Sequence, residues 1–265
     1  MTVGPNAGAE RRMLVLLHGF ALHSGVWGDW LASVHAESCA IDLPGHGGRP
    51  WDTGITDLAS LAGVIADQVP ARATVVGWSL GGLVALELAR QRPATLCGLV
   101  LIATTPQFVA RDGWRHGIDS SVIEEFAAAV ARDYPRAIQD FLALQVLGAD
   151  DPRATLRSLR SQVRSRPVPD PRALATGLDI LRCTDLRHAL PGIGLATLVV
   201  AGDRDRLTPP EASEALATAL PRARLCRIAG AGHAPFLSHP TVVRRELDDF
   251  LGSLAPAAGS APGCA

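Results

Sequence analysis

Thr74-Val75-Val76-Gly77-Trp78-Ser79-Leu80-Gly81 is the stretch that decides the fold. An aliphatic run ends at a glycine, a serine stands between two glycines, and a helix-like segment, Leu80 to Gln91, begins at once. A serine hydroxyl is a poor nucleophile until a base takes its proton, and it must stand clear of the sheet that carries it. A sharp strand-to-helix turn meets the second need, and glycines on both sides let strand and helix approach. The alternative is a Gly-rich connection with an incidental serine. The turn reading predicts an acid and then a histidine later in the chain, both on loops after strands. The acid is sought in Gly202-Asp203-Arg204-Asp205, and the histidine in Gly230-Ala231-Gly232-His233. Asp205 is preferred, because Asp203 directly follows Gly202 and suits the capping of local backbone N–H groups. Of the 8 His, His233 is the one on a Gly-flanked loop directly after the last strand-like run.

Working outward, aliphatic runs recur at Met13 to Leu17, Cys39 to Leu43, Thr74 to Gly77, Gly98 to Ala103, Thr197 to Ala201 and Leu225 to Ile228. They lack strict alternation, as strands covered on both faces of a parallel sheet do. Helical periodicity lies between several of them, for example over Thr208 to Leu220. The fold class is therefore α/β, a mainly parallel sheet with helices on both faces. From Val109 to Arg182 only helical patterns occur, which predicts an all-helical insertion, 109–182, between core segments 1–108 and 183–254. Ala255 to Ala265, built of Ala, Gly, Pro and Ser with Cys264, is expected to be a disordered tail. Oxyanion donors are expected at the backbone N–H of Leu80, after the nucleophile, and of Phe20, in the loop after the first strand. His18 and the turn Asp42-Leu43-Pro44-Gly45-His46-Gly47 are read as structural.

Composition removes several function classes. With 48% hydrophobic and 19% charged residues the chain is not disordered in bulk, and a formal net charge of −1 gives no global basis for binding nucleic acid or an anionic membrane. All 25 basic residues are arginine, so a Walker-type phosphate loop and any Schiff-base lysine are excluded. The 5 Cys are widely scattered and odd in number, which argues against a disulfide framework or a zinc motif and for a reducing compartment. The apolar run after Arg11 and Arg12 stops at His18, shorter than the about 7–15 residues an export signal needs. No stretch of about 18 apolar residues is present.

Taken together, His18-Gly19, the Asp42 to Gly47 turn, Gly77 to Gly81, Gly202 to Asp205 and Gly232-His233 resemble the α/β-hydrolase superfamily over about residues 13 to 252. In that fold the insertion is a cap placed after the sixth-strand region. A closer resemblance rests on Gly77 to Val84, Phe141-Leu142-Ala143-Leu144-Gln145, Gly177-Leu178-Asp179-Ile180-Leu181 and His233 to Pro240. These segments are similar to the BioH-type esterases, the pimeloyl-[acyl-carrier protein] methyl ester esterases of biotin synthesis. The resemblance implies a cytoplasmic carboxylesterase without metal or other cofactor, with Ser79, His233 and Asp205 as its triad and acyl carrier protein as its partner. It places cap arginines against the acidic carrier, here Arg136, Arg153 and Arg157, with Asp140 where a fourth arginine can stand. Phe20 replaces a Trp often found after His-Gly, and the first strand comes too early to leave room for the usual leading hairpin. Phe20, Trp78, Phe141 and Phe236 are the aromatic residues expected near the acyl chain, with Gln145 beside them. The chain is expected to act as a monomer.

Independently of the resemblance, Arg153, Arg157, Arg160 and Arg164 recur at helical spacing on one face, with Leu156, Leu159 and Val163 on another. An arginine face of this kind is either solvated surface or the seat of an acidic partner. Other substrates stay open for the same triad, namely free short-chain esters, lactones, or a carbon–carbon bond beside a ketone. So does a weakly catalytic ligand receptor on the same scaffold.

Overall fold

The sheet forms where the aliphatic runs fall. The computed structural model describes residues 13–254. Six strands lie in the order β2-β1-β3-β4-β5-β6, every neighbouring pair parallel. They are β1 (Leu14–Leu17), β2 (Ser38–Ile41), β3 (Ala73–Trp78), β4 (Leu96–Ile102), β5 (Thr197–Gly202) and β6 (Ala223–Ile228). β1, β3 and β5 are buried at every position, so both faces of the sheet are covered there. β2 and β6 form the rims, and Cys39 and Leu225 are exposed on them. An aliphatic run identifies a strand without revealing whether it is central or marginal, because that depends on which strands pair with it.

The helices are α1 (Gly28–Ala32), α2 (Leu58–Ala66), α3 (Leu80–Gln91), α4 (Ser120–Arg132), α5 (Tyr134–Gln145), α6 (Pro152–Arg164), α7 (Pro171–Cys183), α8 (Pro210–Ala219), α9 (Pro235–Ser238) and α10 (Pro240–Ser253). After β2 the chain returns to the other side of β1 as β3, so the strand order reverses between β1 and β3. An open α/β sheet binds its ligands at such a point, outside the carboxyl ends of the strands. Leu17 pairs with Gly77, so the loops bearing Phe20 and Ser79 leave from adjacent strand ends.

The insertion, α4 to α7, follows β4, the fourth strand in chain order among the described residues. It is not wholly helical, since Val109 bridges Ile118 and Arg111 bridges Trp114 before α4 begins, and α7 runs one residue beyond the expected limit to Cys183. Each of its helices opens on an aspartate, Asp119, Asp133, Asp151 or Asp170, whose carboxylate accepts a backbone N–H in the first turn. Polar contacts join it to the core: Arg166 to Asp42 (2.5 Å) and Asp170 N–H to Gly45 O (2.8 Å). The expected disordered tail, 255–265, and the missing leading hairpin, before Met13, fall outside the described residues.

Candidate active site

Ser79 joins β3 to α3 at φ +54°, in the left-handed region that a residue with a Cβ seldom enters. The surroundings hold it there. Its N–H donates to Ile102 O (3.0 Å), and its carbonyl accepts from Gly82 N–H (2.9 Å) and Thr104 Oγ1–H (2.8 Å). The flanking glycines are needed for close approach, since a Cβ on Gly77 would strike Gly81 O and one on Gly81 would strike Leu17 O.

The three residues read from the sequence converge. His233 Nε2 lies 2.9 Å from Ser79 Oγ, and His233 Nδ1 lies 2.8 Å from Asp205 Oδ2. A carboxylate only accepts, so Nδ1 carries the ring proton and Nε2 is left as an acceptor for the serine hydroxyl. Asp205 is itself held by the N–H groups of Leu207 (2.8 Å) and Thr208 (2.9 Å) on Oδ1. All three side chains are buried. Asp203 does cap a backbone N–H, that of Gly230 at 2.7 Å, but across to the histidine loop rather than within its own turn. Local sequence could not show this, because the partner is brought near by the pairing of β5 with β6.

Leu80 opens α3, where the first amides of a helix have no intrahelical acceptor. Phe20 lies on the neighbouring loop, tied down by His18, whose Nδ1–H donates to Gly19 O (2.8 Å) while Nε2 accepts from Leu43 N–H (3.0 Å). Burial, then the adjacent His46, pushes the His18 pKa well below the ordinary imidazole value, so the ring is neutral. Asp42 accepts Ser24 N–H (2.6 Å) and pairs with Arg166.

The expected aromatic residues separate into two groups. Phe20 and Phe141 meet edge to face at 6.4 Å, and Phe126, which had no motif to mark it, contacts both, at 5.9 and 5.1 Å. α7 crosses this group so closely that a Cβ on Gly177 would come within 3.0 Å of the Phe20 ring. Gln145 is fully buried one turn after Phe141; its Nε2–H donates to Phe141 O, and its Oε1 has no partner among the described residues. Trp78 and Phe236 belong elsewhere, in a buried cluster with Trp27 and Trp30. They thus stand apart from the Phe20, Phe126 and Phe141 group, their rings packed on each other and on Trp27.

On the insertion, Arg153 and Arg157 are exposed with no acidic partner among the described residues, whereas Arg136 pairs with Asp140 at 3.1 Å. Arg160 departs from the expected arginine face: it is half-buried, with Nε enclosed and unpartnered, because it is the arginine nearest Leu156 around α6. Among the described residues no cluster of His, Cys, Asp or Glu is placed to hold a metal ion, and no helix is long and apolar enough to cross a membrane.

Comparison with known proteins matches residues 14–246 to the alpha/beta hydrolase family. Curated relatives include the pimeloyl-[acyl-carrier protein] methyl ester esterase of Stenotrophomonas maltophilia (strain K279a), 42% identical over 93% of this chain and 95% of that protein. The enzyme of the same name from Nitrosomonas europaea is 42% identical over 86% of this chain and 90% of its own. Among solved structures, an esterase from Exiguobacterium antarcticum superposes with a TM-score of 0.83 at 22% identity, over 92% of this chain and 93% of that one, a likeness of fold alone. A hydrolase from Pseudomonas aeruginosa PA01 superposes with a TM-score of 0.78 at 26% identity, over 94% and 92%.

Proposed function

Because the chain belongs to the alpha/beta hydrolase family and is a carboxylic ester hydrolase, we propose that it uses Ser79, His233 and Asp205 to hydrolyse the methyl ester of a pimeloyl chain borne on acyl carrier protein. The observation that carries the chemistry is the buried relay Ser79 Oγ, His233, Asp205, with both links under 3 Å. Ser79 Oγ attacks the ester carbonyl carbon as His233 Nε2 takes its proton. The N–H groups of Phe20 and Leu80 hold the resulting oxyanion. The bond to the methoxy oxygen breaks, and the imidazolium returns the proton to release methanol. A water, deprotonated by His233, then attacks the acyl-serine; the free acid leaves and Ser79 regains its proton. Asp205 keeps the imidazole in the tautomer each step needs.

The likeness to the named esterases supports the substrate, since it runs through the insertion, where Phe126, Phe141 and Gln145 supply the acyl wall with Phe20. Arg153 and Arg157 would meet the carrier, with Arg136 weakened by Asp140. The working place is the cytoplasm, and the enzyme acts as a monomer in biotin synthesis.

The test compares pimeloyl methyl ester on acyl carrier protein with the same ester free in solution. A kcat/KM higher on the carrier by tenfold or more is the expected result, together with rescue of a biotin auxotroph. Equal kcat/KM on both would return the chain to a generic esterase.

A further inference from the structure

We propose that Trp78 is a positioning residue which sets the histidine loop against the nucleophile. This rests on the reading of Ser79 and His233 as nucleophile and base. The indole N–H donates to the carbonyl of His233 at 2.8 Å, in a buried bond between residues 155 apart in sequence. The same ring lies 5.9 Å from the His233 imidazole and 5.0 Å from Phe236. On its other side it meets the loop after β1, where a Cβ on Gly19 would stand 3.2 Å from Trp78 Cε3. Trp78 also immediately precedes Ser79. One side chain therefore touches the three parts that have to be in register: the nucleophile turn, the histidine loop and the oxyanion loop.

The bond is specific to this ring. Nothing else in the described residues donates a hydrogen bond to the His233 carbonyl, and a buried carbonyl left unmet favours a shifted loop. A shift of about 1 Å in a reacting group can cost on the order of a hundredfold in rate.

Trp27 supplies a matched control. It stands in the same cluster, 6.3 Å from Trp78 and 4.5 Å from Phe236, and is equally buried. Its indole N–H has no partner among the described residues. Trp78→Phe and Trp27→Phe remove the same atoms from the same apolar setting, and one of the two also removes a hydrogen bond. Each variant is assayed on a small p-nitrophenyl ester, with turnover divided by the active sites that a phosphonofluoridate titrates, so incomplete folding does not imitate a slow enzyme. Trp78→Phe is expected to lower kcat by about 10- to 100-fold with KM within about threefold. Trp27→Phe is expected to keep kcat within about twofold while losing comparable thermal stability. Equal kcat losses in the two variants, or an unchanged kcat in Trp78→Phe, would overturn the proposal. Hydrolysis that survives Ser79→Ala would instead overturn the underlying reading of the site.

Discussion

α3 and the four helices of the insertion meet the same difficulty, the unpaired amides at a helix start, in opposite ways. Each insertion helix carries an aspartate cap, and α4 and α6 each bury a single residue fully, Ile123 and Leu159. α3 has no side-chain cap, yet ten of its residues, Leu80 through Ala89, are buried. Burial holds α3 in place and leaves its first amides free for a ligand's negative charge. Local caps hold the insertion, whose apolar contact per helix is smaller. The contrast separates a helix start held by burial beside Ser79 from helix starts held by their own side chains.

The largest effect that could break this division is at Ser79. Ser79→Ala should lower kcat by about 10⁶-fold if the three residues act as a unit. More than a tenth of normal turnover in the purified variant would remove Ser79 from the chemistry. Next, Asp205→Asn should cost on the order of 10⁴-fold by presenting the wrong tautomer to Ser79. Asp203→Asn should cost under about tenfold, since an amide oxygen can still accept from Gly230 N–H. A reversal of that ranking in kcat would reassign the acid.

Effects on the insertion side should be smaller and should fall on KM. Arg153→Ala with Arg157→Ala is expected to raise KM for a carrier-bound ester by about 5- to 30-fold, with a small free ester unaffected. High salt should imitate the double variant on the carrier substrate. Losses of equal size on both substrates would mean that the arginines support the helix instead. Smaller again is the response to acyl length. Each methylene buried against Phe20, Phe126 and Phe141 contributes about 0.8 kcal/mol, so neighbouring chain lengths should differ by less than about tenfold in kcat/KM. A hundredfold step between adjacent esters would contradict an apolar wall of this kind.

The smallest expected difference is in acid. Backbone and side-chain hydrogen bonds hold the carboxyl of Asp119 below the usual carboxylate range, and Arg172 holds that of Asp170 down to about 2. Folded-state values lowered in this way mean that the caps contribute fully above the ordinary carboxylate pKa and lose that contribution as pH falls toward about 2. Hydrogen exchange between pH 5 and 2.5 should therefore show α4 and α7 loosening before β3 and β4. Simultaneous loosening would show that the insertion has no separate stability.

Much of the site is legible from short segments because its chemistry demands local backbone shapes. The turn around Ser79 needs glycines at fixed offsets, and Asp205 and His233 must follow the ends of later strands. The caps Asp151 and Asp170 precede prolines at Pro152 and Pro171, a local signature of a helix start. Phe126 and Thr104 carry no such mark. A phenylalanine on an amphipathic helix and a threonine after a strand are common, and here they matter through partners far off in sequence.

Sequence alone determined the parallel α/β frame, the helical insertion and the identity of the three converging residues, because strand burial, helix periodicity and turn geometry are written in neighbouring residues. Tertiary structure decided the rest: that β2 and β6 are rims, that Asp203 reaches the histidine loop, that Asp140 occupies Arg136, and that the Trp78 indole N–H meets the His233 carbonyl. Each of these is settled by a partner supplied through strand order or helix packing. Two residues of one buried cluster, Trp27 and Trp78, then differ entirely in what their N–H groups meet.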